Sequence, residues 1–257
     1  MGRKTVAAGS FAVAGTAALL GSQVLWTARR PLPSLDQLDA SGLVPGTEPA
    51  APLRLVALGD STLTGPGLAG PEDVWLHQAL ASLEPRPPID LISLAVGGAR
   101  AAGARALVTQ ALELDPDAVV VAVGSNDAIH GTPMRAFAST FEALVSGLLA
   151  GGTTIGVCNV GDLGNVARVP KPLNTILRRR SALVRRQIEA VVARHPDAIL
   201  IDVSASNAGF QDRGVFAPDL FHPNRVGHGL WADAARPGLA KVVAAATSGS
   251  PPPPDRF

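Results

Sequence analysis

Four short motifs hold the residues of this chain that could do chemistry. They are Gly59-Asp60-Ser61-Thr62, Gly97-Gly98, Gly124-Ser125-Asn126-Asp127 and Asp219-Leu220-Phe221-His222-Pro223-Asn224. Together they supply a serine, a histidine, an acid and several hydrogen-bond donors, which is the equipment for acyl transfer. A serine hydroxyl is a weak nucleophile at neutral pH. It needs a base within hydrogen-bond reach, and that base needs a partner to fix its tautomer. Asp219 and His222 are three residues apart, so one turn can bring both side chains to the same side. Pro223 restricts the backbone of His222 and suits the first position of a helix. An acyl-transfer intermediate develops an oxyanion, and each donor aimed at it is worth roughly 100- to 1000-fold in rate. The candidate donors are the backbone N–H groups of Ser61 and Gly98 and the side-chain amide of Asn126. A glycine lets main chain come close to substrate.

Each of these residues alone has a plainer reading. Ser61 reads as a helix cap, Asn126-Asp127 as turn chemistry and Asp219 as a loop acid. Their joint occurrence outweighs coincidence. Asp60 and Asp127 read as braces of their loops. His77, His130, His195 and His228 read as surface or helix histidines, with His130 the one placed to line a cleft. Cys158 is the only cysteine, so no intrachain disulfide forms, and its apolar run makes it a small buried hydrophobe.

The elements that must position these residues alternate along the chain. Apolar runs predict strands at Leu53–Leu58, Ile89–Ala95, Ala118–Val123, Thr154–Asn159 and Ala198–Val203. Helical patterns cover Glu72–Leu83, Ala101–Leu114, Met134–Ala150, Thr175–Arg194 and Pro223–Thr247, the last with a kink expected at Pro237. Strands that are apolar throughout and separated by helices indicate a parallel sheet covered on both faces. The first three motifs then lie at strand carboxyl ends, where open α/β sheets bind ligands. The loops Gly161–Leu173 and Ser204–Pro218 are expected to border the cleft, with Phe210 and Phe216 as acyl contacts.

In this order and on this pattern, the motifs resemble the SGNH hydrolase superfamily, the GDSL-like esterases and lipases. Gly59-Asp60-Ser61-Thr62 is similar to the first block, with Thr62 where many members have Leu. Leu94-Ala95-Val96-Gly97-Gly98-Ala99 is similar to the second, with Ser93 where many members have Asn. Gly124-Ser125-Asn126-Asp127 matches the third, and Asp219–Asn224 the fifth. The resemblance spans about Leu53 to Ala246. It implies a flavodoxin-like three-layer sandwich around a five-stranded parallel sheet. It also implies Ser61 as nucleophile, His222 as general base and then acid, Asp219 as its orienting partner, and Ser61, Gly98 and Asn126 as the oxyanion hole. The implied reaction is hydrolysis of carboxylic esters, of small-molecule or of lipid or glycan substrates, through an acyl-serine intermediate and without a cofactor. An O-acyltransferase would use the same residues. A non-catalytic binding module on the same fold stays open as a further alternative.

Competing motifs fail on context. Gly65-Pro66-Gly67-Leu68-Ala69-Gly70 fits the dinucleotide pattern, but Gly59–Thr62 already occupies the turn after the strand, and Pro66 and Pro71 interrupt. The stretch reads instead as a flexible loop beside Ser61. No Gly-x-Ser-x-Gly elbow, His-Glu-x-x-His or cysteine cluster is present.

Composition bounds the rest. The 257 residues, 47% of them hydrophobic, fit one domain with a sizeable core. A net charge of +1 gives no nucleic-acid footprint. The ends read as additions to the domain. Thr5 to Ala28 is a run of 24 uncharged residues between Arg3-Lys4 and Arg29-Arg30. That is long enough to span a bilayer, and a cut after Ala28 would place Trp26 where a signal site needs a small residue. Residues 1–30 are therefore read as a signal or membrane-anchor segment, with the uncleaved anchor favoured. Residues 31–52 read as a linker, 53–247 as the hydrolase domain and 248–257 as a Pro-rich disordered tail. The expected protein is a monomer, extracytoplasmic and either anchored or secreted. The Ala- and Arg-rich composition hints at a GC-rich bacterial source.

Overall fold

The computed structural model describes residues 15, 18–27, 29 and 35–249. Most of the expected anchor segment and the tail from residue 250 onward lie outside the described residues. Ser248 and Gly249, read from sequence as tail, close the last helix.

All five expected strands form. They are β2 (Leu53–Gly59), β3 (Ile89–Ser93), β4 (Ala118–Ala122), β5 (Thr154–Cys158) and β6 (Ala198–Ile201). They pair in parallel in the order β3-β2-β4-β5-β6. The five-stranded expectation needs one correction. A three-residue strand, β1 (Gly42–Val44), pairs antiparallel with β3 and makes the sheet six-stranded. It lies inside the stretch read as a linker. Three residues among Pro, Ser and Gly carry no period by which a strand could be recognised.

Alternation along the central strands divides the core. Leu55, Ala57, Ala118, Val120 and Ala122 face one layer, built on α2 (Trp75–Ala81) and α8 (Arg225–Gly249). Val56, Leu58, Val119, Val121 and Val123 face the other, built on α3 (Ala101–Ala106), α4 (Val108–Glu113), α6 (Met134–Leu149) and α7 (Leu173–Arg194). Every residue of β4 is buried, because helices cover both of its faces. This is the three-layer α/β sandwich of the flavodoxin-like class.

Helix boundaries differ from expectation in instructive ways. The helix expected over 101–114 is two, because Leu107 leaves the helical region (φ −93°, ψ 1°). The last helix starts at Arg225, not Pro223. Asn224 is its cap, accepting the N–H groups of Val226 (2.9 Å) and Gly227 (3.2 Å) on Oδ1. It runs through Pro237 as one element. Two single-turn helices escaped sequence reading: α1 (Ser61–Thr64) and α5 (Ser125–Ile129). Both follow a strand directly, and both carry candidate site residues.

Residues 18–27 are helical. The Gln23 side chain clasps the chain ahead of α7, donating to the Lys171 carbonyl (2.6 Å) and accepting from the Leu173 N–H (3.2 Å). Among the described residues no helix is long and apolar enough to cross a membrane.

Candidate active site

The carboxyl end of β2 builds the first part of the site. Asp60 caps α1, its Oδ1 accepting the Thr62 N–H at 2.9 Å. Ser61 is therefore the first residue of α1, where a backbone N–H has no acceptor within the helix.

Asn126 comes from the carboxyl end of β4. Gly124 makes the turn with φ 131°, a backbone that side-chain-bearing residues rarely adopt, and α5 follows at once. Asp127 is buried and caps the start of α3 by accepting the Ala101 N–H at 2.9 Å. It braces its loop as expected. Arg180 of α7 holds the far end of α5, donating to the carbonyls of Ala128 and Thr132, both at 2.8 Å.

The Asn126 amide links the first three motifs. Its Nδ2 donates to Asp60 Oδ2 (3.2 Å) and to the Ala99 carbonyl (3.1 Å). Both amide hydrogens are thus engaged in this state. Ala99 closes a turn in which its N–H donates to the Val96 carbonyl (2.9 Å) and Gly98 takes φ 79° at the third position. That is the type II geometry, which glycine serves best. Gly97 carries a different constraint, since a Cβ there would run into the Gln37 amide at 2.4 Å.

Asp219 and His222 are brought together as their spacing predicts. His222 Nδ1 donates to Asp219 Oδ2 at 2.7 Å. The Asp219 Oδ1 atom accepts the N–H groups of Phe221 (2.9 Å) and His222 (3.0 Å). With Nδ1–H committed to the carboxylate, Nε2 of the neutral ring is an acceptor. Leu220, between them, sits at φ 59°. Its carbonyl and that of Asp219 accept from the buried Arg168, through N–H (2.9 Å) and Nη1 (3.3 Å) respectively. Sequence reading gave no signal for Arg168.

Ser61, Asn126 and His222 line one open cleft of about 80 Å³. Phe210 and Phe216 line it as expected, and so do Trp231, Phe221 and Ile129, which sequence reading did not single out, and Val166 of the expected border loop. Phe210 packs on Trp231 with ring centres 5.2 Å apart. The loops expected at the border contribute Gly161, Asp162, Leu163, Asn165 and Asn207. Asp219 lies behind His222, buried. Gly98 is exposed and is not among the residues lining the cleft. His130, also exposed, does not line it either.

Burial sets the ionisation of the surrounding groups. It pushes Asp60 up to about 6, against the hydrogen bonds from Thr62 and Asn126 and the nearby His222. Burial also pushes the Asp219 carboxyl up. It is outweighed by the hydrogen bonds from the His222 ring and from the Phe221 and His222 N–H groups, so Asp219 lies below the usual range. The Cys158 thiol is pushed up by burial and by Asp60, so it stays protonated and inert. His228 is buried rather than superficial. Burial, then the charge on His222, pull it down to about 3. Its Nδ1 accepts the Trp75 N–H at 3.1 Å, capping α2. His77 is buried too, and its Nε2 donates to the Ala40 carbonyl at 2.7 Å.

The stretch Gly65–Gly70, read as a loop beside Ser61, is a turn that follows α1 directly. Gly65 ends α1 in the left-handed region, and the Gly67 N–H donates to the Asp36 carbonyl at 3.1 Å. Among the described residues no group of three or more His, Cys, Asp and Glu side chains is placed to hold a metal.

Residues 57–230 match the model of the GDSL-like Lipase/Acylhydrolase family. The chain belongs to this family. It is accordingly an ester-hydrolysing enzyme. Solved structures share the fold. The psychrotrophic esterase EstA from a Pseudoalteromonas species, inhibited by monoethylphosphonate, is 20% identical. It superposes with a TM-score of 0.58, covering 73% of this chain and 97% of its own. TesA is 21% identical with a TM-score of 0.60, covering 74% and 99%. The acetylxylan esterase Axe2 from Geobacillus stearothermophilus is 17% identical with a TM-score of 0.58, covering 78% and 95%. At such identities the likeness concerns the fold. A comparison with curated proteins found none that matches.

Proposed function

We propose that this GDSL-family enzyme cleaves carboxylic esters through an acyl-serine intermediate formed on Ser61. The observation that carries the reading is the His222–Asp219 pair. Its 2.7 Å bond fixes the tautomer in which Nε2 is the acceptor, on a ring that shares a cleft with Ser61. In the proposed first half-reaction the Ser61 hydroxyl attacks the ester carbonyl carbon while His222 Nε2 takes its proton. Asp219 stabilises the resulting imidazolium without itself taking the proton. The oxyanion is met by the Ser61 N–H and by Asn126; the Gly98 N–H, on a turn outside the cleft lining, joins them only where a bound substrate reaches that turn. The amide must turn one hydrogen from the Ala99 carbonyl to the oxyanion, so the donation is made only as charge develops. Collapse expels the alcohol, protonated by His222. Water then repeats the sequence and releases the acid.

The test is hydrolysis of p-nitrophenyl acetate, butyrate and octanoate by the full chain beside Ser61→Ala. Loss of turnover in the variant is the expected result, and unchanged turnover would remove Ser61 from the mechanism. The phosphonate inhibition of the structurally similar EstA suggests a second readout. A fluorophosphonate should label wild type and not Ser61→Ala. Acyl transfer to an added alcohol, measured as product, would show that the same intermediate also serves transferase chemistry.

Our reading also places the domain outside the cytoplasm on an N-terminal anchor. The run from Thr5 to Ala28 supports it, as do Leu19, Val24, Leu25 and Trp26, each about half exposed on the helix over 18–27. Recovery of the full chain in the soluble cytoplasmic fraction would overturn this placement.

A further inference from the structure

Beside the cleft lies a second, smaller cavity of about 30 Å³. The two share Thr62, Ser125, Gly161 and Trp231, so the cavity opens from the cleft one residue beyond Ser61, with Trp231 as the common wall. Its interior is apolar. Trp75 and Val203 form its sides, and the ends of β4 and β5, at Ala122 and Cys158, close it. Among the described residues no charged side chain lines it. Its one amide side chain, Asn159, is already spent. Nδ2 donates to Asp202 (2.7 Å) and Glu189 (3.2 Å), and Oδ1 accepts the Ser204 N–H (3.2 Å). The thiol of Cys158 is neutral. The Thr62 and Ser125 hydroxyls stand where cavity and cleft meet, so an apolar guest passes them at the mouth and beyond it displaces water from no unpaired amide or charged group, which is the main cost of filling a buried pocket.

We infer that this inner cavity is the acyl pocket and that it selects short acyl chains, with Trp231 dividing it from the cleft that holds the alcohol portion. The inference rests on the acyl-serine reading above. An acyl carbon bonded to Ser61 Oγ lies beside Thr62, at the cavity mouth. The strand ends close the far side, so a chain of a few carbons fills the space and a long one has no exit. The leaving alcohol faces the wider, open cleft, so Phe210 and Phe216, expected as acyl contacts, stand on the alcohol side instead. Specificity is then strict for the acid portion of the ester and loose for the alcohol.

The experiment uses tryptophan as reporter. The chain has three tryptophans, and Trp75 lines the inner cavity but not the cleft. In the full chain carrying Trp26→Phe and Trp231→Phe, Trp75 is the only indole. Omega-bromobutyrate, a bromine-tagged short acid, should quench its fluorescence by contact. Val203→Phe, which fills the cavity, should abolish the quenching while the far-ultraviolet circular dichroism stays unchanged. No quenching, or quenching unaffected by Val203→Phe in a folded protein, overturns the inference. This readout needs no turnover. A chain that is quenched yet hydrolyses no ester would retain the pocket and sink the hydrolytic reading. In the active enzyme, Val203→Phe should lower the butyrate-to-acetate ratio of kcat/KM by about tenfold or more. Trp231→Ala should raise the octanoate-to-acetate ratio by joining the two spaces. If Val203→Phe does not fold, the quenching of Trp75 and the Trp231→Ala ratio decide the matter.

Discussion

Asp60 does two jobs with one carboxylate. Oδ1 caps the helix that begins with Ser61, and Oδ2 holds the amide of Asn126. In an Asp60→Asn variant the carbonyl oxygen must still accept the Thr62 N–H, which leaves its NH₂ facing the NH₂ of Asn126. Two donors then oppose each other, and we expect kcat to fall about 10- to 100-fold with KM little changed. An unchanged kcat would remove Asp60 from the positioning of Asn126. The same variant tests linkage. The folded-state pKa of Asp60 is raised from 3.8 to about 6, so the folded chain binds this proton more tightly than the unfolded chain. That stabilisation is complete below about pH 3.8 and is lost as pH rises through 6. The full swing is of order 3 kcal/mol. Asp219 acts with the opposite sign, since its lowered pKa stabilises the fold at higher pH and the effect is lost as pH falls. Urea unfolding of wild type and Asp60→Asn across this window should show the variant gaining on wild type as pH rises. A constant difference would refute the raised pKa. Sequence marked Ser61, Asn126, Asp219 and His222 because their chemistry is read by residue type. It understated Asp60, whose importance comes from burial, and gave no sign of Arg168, which reaches backbone carbonyls 51 and 52 residues away.

At the scale of elements, the five parallel strands were legible, and the three-residue β1 and the short helices were not. The run over 118–123 has no polar face to give to solvent, so its burial on both sides followed from composition alone. α1 and α5 span four and five residues, too few for a helical period to repeat. They exist because a strand end, a cap and a glycine turn leave the chain no other path. The Gly124 turn therefore aims α5, and with it Asn126. A Cβ at this position would meet Val160 and Val184, both at 3.1 Å, on a backbone already at φ 131°. Gly124→Ala should cost about 1–3 kcal/mol in urea unfolding through backbone strain. It should also lower kcat more than it raises KM, because the displaced group is a donor used in the transition state. A variant with lost stability and intact kcat would separate the turn from the oxyanion hole.

Over the whole molecule, the stretch before β2 is part of the site's support. Leu38 N–H donates to the Thr64 carbonyl at 2.7 Å, at the end of the helix that carries Ser61. Gln37 lies against Gly97, beside the Gly98 turn, and accepts from Thr64 Oγ1 at 3.3 Å. Ala40 and Val44 are buried, and Arg86 ties back to the Pro45 carbonyl at 2.9 Å. β1 also covers the edge of β3, whose unpaired main chain would otherwise be open to pairing with another molecule. A linker reading from Pro, Ala, Ser and Gly content missed this, because the stretch is held by backbone bonds and single side chains rather than by a periodic apolar face. The consequence is a sharp boundary between two truncations. A chain beginning at residue 35 keeps these contacts and should melt within a few degrees of the full chain, with kcat on p-nitrophenyl acetate unchanged within about twofold. A chain beginning at residue 53 loses β1, the Gln37 contact and the Leu38 bond. It should melt well below the longer chain, self-associate on size-exclusion chromatography and lose at least about tenfold in kcat as the Ser61 and Gly98 turns relax. If the shorter chain stays monomeric and equally active, the stretch over 35–52 is a linker after all and the site is supported from within β2–α8 alone.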